Sequence, residues 1–173
     1  MRALGRPCSY RKSRNERHLG SHFAANWVIF HPLRGNLRSV ATEVRLSFPD
    51  ELVRVVGVSH YQDALTAIAG QPGPEGVRRP VTAVLEPEPA NPHDANAIRV
   101  LVEGRTAGYL SRDDALRYGP AVRLLQDHDR VLVCDAVISG RGPGAETPNL
   151  GLFLELPRAP EALLEARTII RTA

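Results

Sequence analysis

Aromatic side chains are scarce. They make up 5% of the chain, too few for a broad platform on which successive nucleobases stack. Only two cysteines occur, Cys8 and Cys134, far apart and without CxxC spacing. That leaves no basis for a disulfide scaffold or a cysteine zinc site. No apolar run approaches the roughly 18 residues that span a bilayer. The basic N-terminal stretch lacks the apolar segment of a secretory signal, so the expectation is a soluble, cytoplasmic protein. Catalytic signatures are missing too: there is no P-loop, no GxGxxG behind a strand, no HExxH and no GxSxG. The "GRGPG" stretch at 140–144 lies between two strand-like segments with no helix behind it, which argues against a phosphate cradle.

What is present suits one folded domain with an appended arm. Of the 173 residues, 43% are hydrophobic, enough at this length to bury a sizeable core. The formal charge of +3 is unevenly spread. Residues 1–45 hold eight Arg and one Lys against Glu16 and Glu43, a net +7. Residues 46–173 hold the other 13 of 22 basic and 17 of 19 acidic side chains, a net −4. Affinity for a nucleic-acid backbone comes chiefly from neutralised phosphates, so a slightly acidic body favours a small, local contact over a long groove.

Residues 1–45 show neither helical nor strand periodicity, apart from an apolar patch at Trp27–Phe30. They read as a disordered basic arm, with added non-specific affinity for nucleic acid as the sharper reading. From Leu46 to about 157 the pattern changes. Leu52–Val58 ("LVRVVGV") is a β-branched run, hence a strand. Tyr61, Ala64, Leu65 and Ile68 then fall on one helical stripe, closed by Gly70. Val81–Glu86 is a second strand. Ile98, Val100 and Val102 alternate through a third, Glu103-Gly104-Arg105 makes a tight turn, and Thr106–Leu110 returns as a fourth. Ser111 caps a helix whose first turn carries Asp113 and Asp114. Gly119-Pro120 is expected to interrupt that helix before it resumes to Gln126. Val131–Ile138 and Leu150–Leu156 are two more strands, and 158–173 is a weakly helical tail. The order β-α-β-β-β-α-β-β, with tight connections, predicts a mainly β, α+β fold: a compact small barrel with two helices rather than a doubly wound sheet, since the links are too short for repeated parallel crossovers.

The segment "NPHDANAIRV" (91–100) carries the densest polar chemistry. It follows the proline-broken acidic run Glu86-Pro87-Glu88-Pro89 and enters a strand. Asn and Asp bond their own backbone in turns and Pro fixes φ, so turn formation explains much of it. His60, His93, Asp94 and Cys134 are metal-competent residue types scattered over different elements; their spacing implies no metal site and no cofactor. Cys134 shares a strand face with Leu132, Ala136 and Ile138 and reads as a small core residue. Asp94, Asp113 and Asp114 form no clustered pair with a base, so the chain is not expected to be an enzyme.

Together, "VVGVSHYQDAL" (55–65) and "EPEPANPHDANAIRVLVEGRTAGYLSRDDA" (86–115) resemble the HIRAN domain, in order and in spacing, within a region from about Leu52 to Leu156. The likeness is to small, free-standing bacterial members; other members are fused to DNA-translocating helicases and nucleases of repair. The resemblance implies a modified OB-like barrel that binds single-stranded DNA at a free 3′ end, in DNA repair or processing. It implies that Asp94 accepts a hydrogen bond from the terminal 3′ hydroxyl and that Asn91 lies at the pocket edge. His60 and His93 would stack on bases, and Val56 would form an apolar wall. Tyr109 and Arg112 would face the DNA, with Arg112 the phosphate contact. Tyr61 belongs to the Ser-His-Tyr signature, but its place on the apolar stripe makes it a core residue. Implied partners are the DNA end and a helicase or nuclease. The alternative is a protein-interaction adaptor on the same barrel, without DNA affinity.

Overall fold

The computed structural model describes residues 41–141 and 149–172. Among these, seven strands and three α-helices follow one another along the chain. They are β1 (Thr42–Arg45), β2 (Glu51–Arg54), a 3-10 turn (Val58–Tyr61), α1 (Gln62–Ala69), β3 (Val77–Pro87), β4 (Ile98–Val102), β5 (Arg105–Tyr109), α2 (Arg112–Gln126), β6 (Arg130–Gly140), β7 (Gly151–Leu156) and α3 (Ala159–Arg171). From β2 to β7 this is the expected β-α-β-β-β-α-β-β order.

One sheet contains all seven strands in the path β2-β7-β6-β3-β4-β5, with β1 added alongside β6. Every pairing is antiparallel except β1 with β6. The ladder does not close into a continuous barrel. An isolated bridge links its two ends: Val56, just past β2, donates its N–H to the Tyr109 carbonyl at 2.8 Å and accepts from the Tyr109 N–H at 3.0 Å.

The core lies on one side of this sheet. Leu152, Leu154 and Leu156 of β7 meet Leu132, Cys134, Ala136 and Ile138 of β6 and Ile98, Val100 and Val102 of β4, all within one buried cluster. Burying each large aliphatic side chain stabilises the fold by about 1.5–3 kcal/mol relative to exposing it. The core face of α2 contributes Ala115, Tyr118, Ala121, Val122 and Leu125. Buried Tyr118 keeps its hydroxyl satisfied by donating toward Glu51 Oε2 at 3.0 Å and the Pro157 carbonyl at 3.1 Å.

Several expectations are corrected. The helix does not break at Gly119-Pro120; α2 runs unbroken through Pro120. An interior proline costs about 3 kcal/mol of helix propensity, but five neighbouring side chains bury themselves on that face. The carbonyl that proline leaves without its donor belongs to Leu116, a residue 60% exposed. The strand read over Leu52–Val58 ends at Arg54. Gly57, at φ 71°, turns the chain into the 3-10 segment, a backbone region that other residues adopt only under strain. The reading of 1–45 as an arm falls mostly outside the described residues, but its last four residues form β1, because Val44 buries its side chain in the core. The 158–173 tail is a full helix, α3, whose Ala159, Ala162 and Ala166 are buried as it packs on α2. It is fastened to the segment before β2 by Glu165, which accepts hydrogen bonds from the Ser47 N–H and hydroxyl at 2.9 and 2.7 Å.

Candidate nucleic-acid interface

Backbone register assembles a row of outward-facing side chains from distant parts of the chain. Glu86 on β3 lies opposite Arg99 on β4. Arg99 in turn lies opposite Tyr109 on β5, and Tyr109 bridges to Val56. Directly opposed residues of antiparallel strands share a face, so the four form one line across the closing edge of the sheet. Gly108 makes the close approach possible. Its φ is 152°, and a Cβ there would stand 2.6 Å from the Val56 carbonyl oxygen and 2.5 Å from a Val55 methyl.

Three polar groups tie this row to the Asn91–Asp94 turn. Arg99 donates to Glu86 at 2.6 Å and pairs with Glu88 at 3.6 Å. Glu88 accepts from the Asn91 amide at 2.8 Å and lies against the Tyr109 hydroxyl. The Tyr109 ring is tilted against Tyr61, centroid to centroid 6.4 Å. The electrostatics follow from these contacts. The Asn91 amide holds the Glu88 carboxyl below its usual range against the opposing effect of burial, with help from Tyr109 and Arg99. Burial, reinforced by Tyr61 and Glu88, raises the Tyr109 phenol well above its ordinary value and keeps it neutral. Burial works to lower Arg99, but its bond to Glu86 and the two carboxylate charges outweigh that and raise it.

The turn itself is organised by Asn91. Its Oδ1 accepts from the backbone N–H groups of His93 and Asp94 at 3.0 and 3.3 Å. Asp94 uses Oδ1 to accept from the Asn96 N–H at 2.8 Å. Among the described residues its Oδ2 has no hydrogen-bond partner, so a half-buried carboxylate keeps one oxygen available. Arg123 of α2 fixes the far side of the turn by donating to Asn96 Oδ1 at 2.9 Å.

The family model for the HIRAN domain matches residues 52–140, more than half of the chain. The chain belongs to the HIRAN domain family. This is a family of nucleic-acid-binding modules, and the chain is a nucleic-acid-binding domain. The solved HIRAN domain of human HLTF is similar at 18% identity, over 68% of this chain and 85% of that one, with a TM-score of 0.31. No curated protein matches the chain.

Within this HIRAN domain the seven residues read from sequence divide into groups. Val56 and Tyr109 are bonded to one another, and Asn91 joins them through Glu88. Asp94 and His93 share the Asn91 turn, with His93 exposed. His60 is exposed on the 3-10 turn, next to Tyr61. Arg112 is exposed at the first position of α2, beyond the Ser111 cap. Tyr61 is only partly buried and faces Tyr109 rather than the core centre. Sequence reading missed Glu88 and Arg99. The pairing that unites them is set by the register of three strands, and only the Glu88–Asn91 spacing gave a local signal. Among the described residues no group of three His, Cys, Asp or Glu side chains could hold a metal ion, and no helix is long and apolar enough to cross a membrane.

Proposed function

We propose that this HIRAN domain recognises single-stranded DNA at a free 3′ end and performs no catalysis of its own. The observation that carries this reading is the half-buried Asp94 carboxylate: one oxygen is spent on the turn, the other has no hydrogen-bond partner among the described residues, and the turn is tied through Asn91 and Glu88 to Tyr109. An ionised acceptor strengthens a hydrogen bond to a hydroxyl roughly twofold over a neutral one. In this reading the Asp94 Oδ2 accepts from the terminal 3′ hydroxyl. His60 and His93 stack on the last bases, Val56 offers an apolar wall and Arg112 meets a phosphate. Asn91 acts indirectly, because its Oδ1 and one amide hydrogen already hold the turn to Glu88. No metal or cofactor takes part.

A pocket for one end suits a body with a net charge of −4 better than a long groove does, because few phosphates need neutralising. The biological setting is DNA repair or processing, beside a helicase or nuclease. Fluorescence polarisation with short oligonucleotides ending in a 3′ hydroxyl or a 3′ phosphate tests the reading; the hydroxyl form binds more tightly. Absent DNA binding, with nuclease-resistant capture of one protein partner, would instead establish the adaptor alternative.

A further inference from the structure

We infer a second contact for the same single strand, on the outer face of β2, β7, β6 and β3, resting on the end-binding reading above. Arg54 lies opposite Phe153, Phe153 opposite Val137, and Val137 opposite Pro80. In the adjoining row Gly151 lies opposite Ser139, and Ser139 opposite Arg78. Opposed residues share a face, and so do residues two apart along a strand. Arg54, Phe153, Ser139 and Arg78 therefore point the same way. Arg141 emerges next to this face, its Cα within 3.5 Å of where a Gly76 Cβ would stand.

Among the described residues the charge on this face is unspent. Arg45, Arg99, Arg117 and Arg158 each hold a carboxylate. Arg54, Arg78 and Arg141 are exposed, and none makes an ion pair among the described residues. Neither row contains an acidic side chain. Asp135 and Glu155 lie one row further on, and Asp135 is already held by Arg45. The guanidinium fork matches phosphate oxygens and stacks on bases. Half-buried Phe153 supplies an aromatic ring beside them. It leans over Gly151, where a Cβ would stand 3.3 Å from the ring.

The position fits a continuing strand. Arg54 precedes Val56 by two residues on the same side, so strand spacing of roughly 6–7 Å separates this patch from the Val56–Tyr109 bridge. Tyr109 stands between the patch and the Asn91–Asp94 turn. A strand with its last nucleotide at Asp94 passes Tyr109 and Val56 and then meets Arg54, Phe153 and Arg78. The ligand class is single-stranded nucleic-acid backbone with a stacked base, several nucleotides from the end.

The test is fluorescence polarisation of the full chain with oligothymidylates of three and ten nucleotides, each made with a 3′ hydroxyl and, for comparison, with a 3′ phosphate. Wild type binds the longer one about tenfold more tightly, and a combined Arg54→Gln, Arg78→Gln variant loses that gain while keeping its affinity for the trimer. The salt slope for the ten-mer falls by about 1.4 in the variant, because two phosphates are no longer neutralised and each accounts for roughly 0.7. Arg79→Gln removes the same kind of charge from the opposite face, where Arg79 pairs with core residue Ile138, and it changes neither affinity. Length-independent binding with an intact preference for the 3′ hydroxyl overturns the patch alone, as does an Arg79→Gln loss equal to that of the double variant. A trimer that binds regardless of its 3′ group overturns the end pocket, and absence of binding to either oligonucleotide overturns both.

Discussion

Val56 and Tyr109 exchange two backbone hydrogen bonds, 2.8 and 3.0 Å long, between the two ends of a hydrogen-bonded path of strands. That bridge brings the end of β2 against β5. It also sets an apolar side chain beside the phenol that lies against Glu88, so the closure of the fold and the geometry of the candidate interface depend on the same two residues.

Gly108→Ala should break this closure. The added methyl would meet backbone as well as side chain, at 2.6 Å and 2.5 Å, and the φ of 152° already disfavours any L side chain. A loss on the order of 2 kcal/mol is expected, read from the urea midpoint. Backbone amide exchange at Tyr109 should speed up in step with it. An unchanged midpoint would show that the bridge contributes nothing to closure.

Asn91→Ala should loosen the turn while leaving the sheet folded. The substitution removes the acceptor for the His93 and Asp94 amides and the donor to Glu88. About 1 kcal/mol of stability is expected to go. Hydrogen exchange at residues 93 and 94 should accelerate well beyond that at β6, and DNA affinity should fall through disorder of Asp94. Uniform exchange changes across the protein would count against a local role.

Glu88 gives a pH signature of definite sign. Its folded pKa is depressed, first by the Asn91 amide. The stability it contributes is therefore fully present above its unperturbed value of 4.5 and is lost as pH falls through the lower folded value. Glu51, depressed chiefly by its bond to Arg117, titrates in the same direction. Comparison of wild type with Glu88→Gln isolates the Glu88 part. The difference in urea midpoint between them should shrink as pH drops below 4.5 and hold steady from about pH 6 to 8.

Cys134 should be chemically silent in the native protein. Burial pushes its thiol up to about 12, and only 5% of the residue is accessible, so neither thiolate nor access is available. In a Cys8→Ser background, a thiol reagent at about pH 8 should label nothing until denaturant is added. Rapid labelling of folded protein would contradict the buried placement.

The elements that could be read from sequence are those set by local rules. The Ser111 cap is seen as expected, with the Ser111 hydroxyl accepting from the Asp114 N–H at 3.1 Å. So are the tight turn at Glu103-Gly104, both at positive φ, and the alternation of Leu152, Leu154 and Leu156. The segments that departed from expectation depend on distant partners. β1 exists because Thr42–Arg45 lie beside Arg130–Val133, and four residues carry too little pattern to announce that. Local signals at Gly119-Pro120 said break, while Tyr118, Ala121 and Val122 on the buried face kept α2 whole. Asp94 and Asn91 stood out through residue type and turn chemistry. Their connection to Arg99 and Tyr109 through Glu88 required the register of β3, β4 and β5, which no local window contains.

The most direct test of the central claim is a two-by-two binding cycle: wild type and Asp94→Asn, each titrated with a short single strand ending in a 3′ hydroxyl or in a 3′ deoxy sugar. If Asp94 accepts a hydrogen bond from the terminal hydroxyl, wild type should prefer the hydroxyl strand by about tenfold, in line with the roughly 1.5–3 kcal/mol typical of a hydrogen bond to a charged group. Asp94→Asn, whose neutral amide makes a bond about half as strong, should prefer the hydroxyl strand by only about threefold, a coupling that survives any general loss of affinity. Equal binding of both strands by wild type, or a preference undiminished in Asp94→Asn, would contradict it.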